Sequence, residues 1–475
     1  MSDNTKKVGL LGLIAIVFTS MVGSSVYNLP QNMAASASAG AVLIAWIITG
    51  IGMFFLAQTF KVLSESKPEI TSGIYAYAKQ GFGNYVGFNS AWGYWVSGAM
   101  GNVAFAILLN DAVGYFYPPL LEHGLLTIVF SIFFIWFFTF LIFPGVEFAT
   151  KINSASTIIV LLVMVVIIVL LFYGFKWNQF TSHFWGEGLN IGSAGMQVKS
   201  TMMVTLWSFI GIEGAVVIAG RAKSNKDVGT ATVVGFFSAL VIYALVSLLS
   251  FGIESQPELS ALKAPSAGYI LQDVAGEWAN TFVNISVIVS LLISWLAWTV
   301  LVAEVPYDAA KEGVLPKIFK RENKKKSPVS ALVITAMLMT MMIFMVIVAK
   351  DVYMAAISIA GVMILPPYFF SAAFLWETAE KNEILKDKYK KRMQALGIGI
   401  IATLYSGWLL YAAGINYLLM SSLFYALGIP FYYNARKHEL KAGDPVFTKW
   451  ERRLAFLIII GAAYSIIKLI EGTSL

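Results

Sequence analysis

The sequence predicts an all-α polytopic membrane protein, and three observations support this fold class. Hydrophobic residues make up 58% of the 475 positions and charged residues only 12%, whereas soluble domains carry roughly 25% charged residues. Apolar runs long enough to cross the ~30 Å hydrocarbon core recur along the chain. Lys and Arg, in addition, are concentrated in every second loop. Most of the surface of such a chain must face lipid.

Thirteen apolar runs can be placed as membrane spans. Two of them are too long for one straight crossing, so we expect them to be tilted or to extend beyond the bilayer. We therefore predict 12–13 spans within one integral membrane domain that covers residues 1–475. The runs are 10–35, 38–62, 84–116, 125–145, 152–175, 199–220, 229–253, 278–310, 328–349, 353–377, 393–412, 414–434 and 452–471.

The distribution of Lys and Arg predicts the orientation of the chain. If the N-terminus is cytoplasmic, all but five of the 33 Lys and Arg residues fall in cytoplasmic segments, as the positive-inside rule requires. The net charge of +7 is therefore a signal of topology and not a patch for nucleic acid. The five exceptions are Lys176, Lys199, Lys263, Lys350 and Lys468.

Spans 1 and 6 are interrupted near mid-membrane, by Gly-Ser-Ser at 23–25 and by Gly-Ile-Glu-Gly at 211–214. Irregular backbone at this depth is tolerated only where it is buried in protein or lines a cavity. The breaks lie five spans apart, and an odd offset makes the two helices antiparallel. This pattern is typical of inverted repeats with a substrate site at the broken helices. Close packing of helices at glycine is the alternative explanation.

The offset divides the chain into three parts. We expect a first five-helix repeat at 10–175, a second and inverted repeat at 199–377, and additional C-terminal helices at 393–471.

Three acidic residues lie inside predicted spans, namely Asp111, Glu213 and Glu304, and no Lys or Arg is placed at comparable depth. Ionisable groups in a membrane are costly and usually functional. This excess of acid favours a cationic solute or a proton relay. Asp111 is more simply explained as a residue of an outer vestibule. For Glu213 the alternative to a functional role is a protonated carboxyl that only forms hydrogen bonds with the backbone at the break.

Two functional classes are disfavoured by composition. The chain has no cysteine and only three histidines, which are scattered between spans, so neither a thiolate nor a clustered metal site is expected. We predict no catalytic residues, no metal and no cofactor, and therefore a protein that is not an enzyme.

Three motifs resemble those of the amino acid–polyamine–organocation superfamily. They are GSSVYNLPQNM at 23–33, WSFIGIEG at 207–214 and AEVPYDAAKEGVLP at 303–316. Within the superfamily the chain is most similar to the basic amino acid/polyamine antiporters, particularly the bacterial arginine/ornithine antiporters. The resemblance implies the LeuT-type fold, an inverted 5+5 repeat with broken spans 1 and 6 and about three extra C-terminal spans.

The resemblance also implies a substrate site and a proton-linked carboxyl. Glu213 matches the family's pH-sensing glutamate, and Glu304 is a second candidate for proton coupling. The sequence departs from the family where Ser25 replaces glycine, Tyr27 replaces a common phenylalanine and Phe105 replaces methionine. The predicted substrate-binding residues are Gly23, Ser24, Ser25, Asn102, Phe105, Trp207, Ile210 and Trp298.

We therefore predict a secondary active antiporter that exchanges a cationic amino acid for its metabolic product, of the arginine/ornithine type. The departures leave open a histidine/histamine, lysine/cadaverine or ornithine/putrescine exchanger, and a proton-coupled amino acid symporter is the other alternative. The expected partners are small amino acids or amines and membrane lipid, with no nucleic acid and with a homodimer left open. The expected location is the bacterial cell membrane.

Overall fold

The computed structural model describes residues 7–23, 25–122, 124–346, 360–386, 388–440 and 445–471. Ser24, one of the predicted binding residues, lies outside them. Within this part of the chain the secondary structure is helical, and the one β-bridge joins Val8 to Ala222. The predicted all-α fold class is confirmed.

The helices, numbered in chain order, are connected by short turns and by 3-10 segments at Pro118–Glu122, Ala219–Arg221 and Lys317–Lys320. They are α1 (Leu10–Met21), α2 (Ser25–Ala34), α3 (Ala39–Ser66), α4 (Ile74–Phe82), α5 (Asn84–Gly114), α6 (Leu125–Leu141), α7 (Val146–Gly174), α8 (Trp177–Thr181), α9 (Ala194–Phe209), α10 (Gly214–Val217), α11 (Asn225–Ser250), α12 (Gln256–Ala261), α13 (Ser266–Ala275), α14 (Glu277–Lys311), α15 (Val329–Val346), α16 (Leu365–Glu380), α17 (Tyr389–Ala413), α18 (Ile415–Lys437) and α19 (Lys449–Ile470).

Helices occupy the described part of each of the thirteen predicted spans, and residues 24, 347–349 and 353–359 of those spans lie outside the described residues. In the described part of the chain, nine helical segments are long and apolar enough to cross a membrane. Two more, Leu125–Leu141 and Val329–Phe344, are apolar but shorter. The remaining two places hold the interrupted pair α9 and α10 and the last helix, α19. The chain is a multi-pass membrane protein.

Four pairs of predicted spans that lie five apart pack against each other. The long helix α5 lies along α14, α3 lies along α11, and α6 contacts α15. The two interrupted spans meet in the same way, through contacts of α1 with α10 and of α2 with α9. This arrangement fits the expected inverted repeat, because counterparts that lie beside the axis relating the two halves contact each other.

The same short-helix turn occurs once in each half. The short helices α4 and α13 end at Gly83 and Gly276, which have φ of 93° and 91° and lead directly into α5 and α14. Each glycine N–H donates to a carbonyl four residues earlier, Lys79 at 3.0 Å and Gln272 at 2.7 Å. A positive φ of this kind favours glycine. Sequence patterning placed both segments in loops and missed these helices.

Polar contacts mark one end of the bundle. Lys79 pairs with Glu312 at 2.8 Å, and the Asn323 amide donates to the Phe143 carbonyl at 2.8 Å. We call the end that carries the loop at 312–328 the basic end, because that loop is rich in Lys and Arg. The other is called the opposite end.

Single cysteines can test the orientation because the chain contains none. Lys324 is exposed at the basic end, and Lys263 is exposed in the loop before α13. A Lys324→Cys variant is expected to react with a membrane-impermeant maleimide only from the cytoplasmic side, and Lys263→Cys only from outside. The reverse pattern would overturn the orientation, and labelling of both from one side would contradict the span arrangement.

Candidate substrate site at the two broken helices

The first break separates α1, which ends at Met21, from α2, which begins at Ser25. Here Gly23 passes so close to α14 that a Cβ atom would lie 2.5 Å from the Ser294 hydroxyl oxygen. A larger residue would displace the Ser294 side chain, which explains glycine at this position.

The second break follows Phe209, where α9 ends. Gly211 has a φ of 113°, and a Cβ atom there would lie 2.8 Å from the Ser20 carbonyl carbon. The Ser20 hydroxyl donates to the Gly211 carbonyl at 3.0 Å. The two breaks are therefore in direct contact, as the sequence predicts.

Side chains from neighbouring helices satisfy the backbone carbonyls that the breaks release. On α14, Ser294 donates to the Thr19 carbonyl at 2.7 Å, and the Trp298 indole nitrogen donates to the Ser20 carbonyl at 2.8 Å. Such partners are required because an unpaired polar group in hydrocarbon costs several kcal/mol.

A small cavity lies where the breaks meet, with a volume of ≈ 30 Å³. This volume holds about two water molecules, so an amino acid enters only if lining side chains move. Trp207 is partly exposed while Trp298 is buried, which makes Trp207 the side chain with more freedom. Six predicted residues line the cavity: Gly23, Ser25, Phe105, Trp207, Ile210 and Trp298. Sequence reasoning missed five others: Ser20, Met21, Ser97, Gly98 and Gly101.

Asn102 follows the lining residue Gly101 on α5 and is fully buried. Neither its amide nitrogen nor its amide oxygen has a hydrogen-bond partner among the described residues. A buried polar group without a partner is costly and calls for an explanation. That the substrate is the partner of Asn102 stays a prediction.

Glu213 lies between the cavity and the basic end, fully buried where α10 begins. Its carboxylate accepts the Gly211 N–H at 3.1 Å and a hydrogen bond from the Tyr368 hydroxyl on α16. The Tyr94 hydroxyl lies near the same carboxyl, and the Tyr94 ring stacks on Trp298 with centroids 6.2 Å apart. Among the described residues no Lys or Arg forms an ion pair with Glu213.

Glu304 lies outside the cavity, nearer the basic end. Its carboxylate accepts from the Arg221 guanidinium, at 3.0 Å from Nε and 2.7 Å from Nη2. Arg221 follows α10 in the short 3-10 segment, and its side chain reaches inward, so the expectation that no base lies at comparable depth is wrong. The sequence could not show this pairing, because 83 residues separate the partners. The other acidic candidate, Asp111, lies with Tyr27 and Asn28 in a separate small cleft.

The cavity lies between two antiparallel, interrupted helices within a bundle of apolar helices. This arrangement is typical of secondary transporters with discontinuous transmembrane helices. A family model described as amino acid permease matches residues 8–444. The chain therefore belongs to the amino acid permease family, and the predicted resemblance is confirmed.

Full-length relatives agree with this assignment. A Clostridium perfringens protein assigned as an amino-acid transporter is 44% identical over 481 residues, covering 99% of this chain and 100% of that protein. An arginine/agmatine antiporter of Chlamydia felis is 44% identical over 443 residues, covering 92% of this chain and 91% of that protein. An arginine/agmatine antiporter of Chlamydia pneumoniae is 43% identical over 448 residues, covering 93% and 92%.

Proposed function

We propose that the protein exchanges a cationic amino acid, arginine in the first place, for a product of its metabolism such as ornithine or agmatine. The sequence motifs favour the arginine/ornithine pair, and the names of the chlamydial relatives favour arginine/agmatine. Both pairs require one site that accepts a primary ammonium group and a long cationic side chain. The bacterial relatives support a location in the bacterial cell membrane, and the Lys- and Arg-rich loop at 312–328 supports a cytoplasmic basic end.

The observation that carries the proposal is the polarity of the helix ends around the cavity. The C-terminal ends of α1 and α9 and the N-terminal end of α2 lie at the same place. Helix C-termini are partly negative and N-termini partly positive, so the site complements a zwitterionic amino acid. Trp207 and Trp298 line the same cavity, and an indole face attracts a cation by about 0.5–2 kcal/mol.

The proposed transport cycle uses the two halves of the bundle, 10–175 and 199–377, as units that move relative to each other. Two polar layers, Glu213 with Tyr368 and Glu304 with Arg221, separate the cavity from the basic end. Opening toward the cytoplasm must break both layers. Exchange requires that the loaded protein makes this change faster than the empty one.

Glu213 is the candidate for proton linkage. Its hydrogen-bond partners are the Gly211 N–H and the Tyr368 hydroxyl, and burial without a cation disfavours a charged carboxylate. A cationic substrate in the adjacent cavity would favour the charged form and so promote release of a proton.

Counterflow in liposomes tests the proposed exchange. Liposomes that contain the purified protein are loaded with labelled arginine. They should release it when arginine, ornithine or agmatine is added outside, and should release little into buffer alone. Acceleration only by neutral or acidic amino acids would refute the cationic substrate. Equal release into buffer and substrate would refute exchange and favour the symporter.

Asn102→Ala is expected to raise the half-saturation concentration for arginine by roughly ten- to a hundredfold. A hydrogen bond to a charged group contributes about 1.5–3 kcal/mol, and about 1.4 kcal/mol corresponds to tenfold in affinity. Thermal stability should be unchanged, because the amide makes no hydrogen bond within the described protein.

Asn110→Ala is the matched control on the same helix. The Asn110 amide bonds Ala106 and Ser131, so its loss should lower stability and spare affinity. Unchanged affinity in a folded Asn102→Ala variant would remove this residue from the site.

Glu213→Gln should flatten the pH profile of exchange, because the amide keeps the shape of the carboxyl and cannot titrate. Exchange rates between pH 5 and 9 in liposomes measure this. Glu304→Gln serves as the comparison, since it breaks the pair with Arg221 and should lower thermal stability without flattening the profile. A Glu213→Gln protein that retains the wild-type pH dependence would leave Glu213 as a structural residue.

A further inference from the structure

Five glycines lie on α5, and packing explains four of them. A Cβ atom at each of these four would lie between 2.2 and 2.4 Å from a side-chain atom of a neighbouring residue, which is closer than packed atoms can approach. The neighbouring segments could not lie so close to α5 if these positions carried a side chain. The four are Gly87, Gly93, Gly98 and Gly114.

Gly101 is the exception on this helix. Apart from its chain neighbours and its own helix backbone, the one described residue within 4 Å of a Cβ atom there would be Trp207, with Cη2 at 3.8 Å. That is an ordinary contact distance. From Tyr85 to Asn110 every other residue of α5 is buried, whereas Gly101 is partly exposed. Free space therefore lies directly over the backbone at this position.

A glycine in such a place needs a reason other than packing. In a helix interior alanine is more favourable than glycine, and the described neighbours of Gly101 leave room for the extra methyl group. The reason must then lie in the space itself, which a side chain would occupy.

This space is part of the cavity between the broken helices. Ser97, Gly101 and Phe105 follow one another at intervals of four residues, so they share one face of α5, and all three line the cavity. Side chains therefore stand on either side of Gly101, and the six-membered ring of Trp207 lies opposite on α9. We call the space between the Gly101 backbone and the Trp207 ring the Gly101 slot.

We propose that Gly101 is a specificity-determining residue, and that the long side chain of the substrate lies in the Gly101 slot. The inference rests on the proposed function, which supplies a substrate with a long, unbranched side chain. The methylene groups of such a side chain can pack between bare backbone and an indole ring. A methyl group at position 101 would narrow a cavity of only ≈ 30 Å³. A short side chain does not reach the slot, so the effect of this methyl group should grow with the length of the substrate.

Competition for uptake of labelled arginine tests the proposal, with labelled ornithine as the tracer if the variant no longer takes up arginine. The competitors share the α-amine, the α-carboxylate and a terminal cation, and differ in length: arginine is the longest, ornithine is intermediate and 2,3-diaminopropionate is the shortest. Gly101→Ala should raise the inhibition constant of arginine by about tenfold or more, as expected when a methyl group is forced into filled space. The constant of ornithine should rise less, and that of 2,3-diaminopropionate by less than about twofold. The thermal stability of the ligand-free variant should be unchanged or higher.

Gly98→Ala is the matched control, because Gly98 lines the same cavity and lies on the same helix. Its Cβ atom would lie 2.2 Å from Cγ2 of Val302 on α14. The Val302 side chain is β-branched and cannot easily move aside. Gly98→Ala should therefore lower thermal stability, which shows the effect of replacing a packing glycine.

Three results would overturn the proposal. The first is a Gly101→Ala protein that does not fold or that loses thermal stability as Gly98→Ala does. The second is an equal rise of all inhibition constants, and the third is no change in any of them, even if transport becomes slower. If 2,3-diaminopropionate does not compete with the wild type, the shortest ligand that does takes its place. If the wild type does not transport arginine, the proposed substrate fails, and the same comparison is made with the amino acid that drives counterflow and its shorter homologues.

Discussion

The need to satisfy backbone polar groups inside a membrane governs the centre of this structure. Interrupting α1–α2 and α9–α10 releases carbonyl and N–H groups where water is scarce, and each unpaired group costs several kcal/mol. The protein meets this cost with single donors from other helices, such as Ser294 for Thr19 and Tyr243 for Ser208.

Much of this architecture follows from local sequence features. Span positions follow from hydropathy, and the breaks follow from Gly23 and Gly211, which are required by close approach and by a positive φ. Resemblance of short motifs located Trp207 and Trp298, which do line the cavity.

The polar connections between distant helices could not be predicted in the same way. Tyr368 is 155 residues from Glu213, and Arg221 reaches Glu304 from a segment that hydropathy places at the end of a span. A single sequence contains no record of which polar side chains meet across a bundle. Asn102 shows the converse case, because its position was predicted while its isolation from every described partner was not.

The three intramembrane acids of the sequence separate into different environments. Glu304 is bound to a guanidinium, Asp111 lies in a cleft away from the cavity, and Glu213 has only hydroxyl and backbone donors. Counting charges by depth would treat the three as equivalent. The proposed proton linkage rests on Glu213 because none of its described partners is a cation.

The paired turns at Gly83 and Gly276 have a consequence for how such a protein arises. Their backbone conformations are nearly the same, yet the helix before Gly83 carries Lys79, and Asp273 and Glu277 flank Gly276. One turn design thus serves at both water interfaces, with its surface charges changed to suit each side. An ancestral five-helix segment that was duplicated could therefore have kept its backbone and exchanged only exposed residues to fix the two copies in opposite orientations.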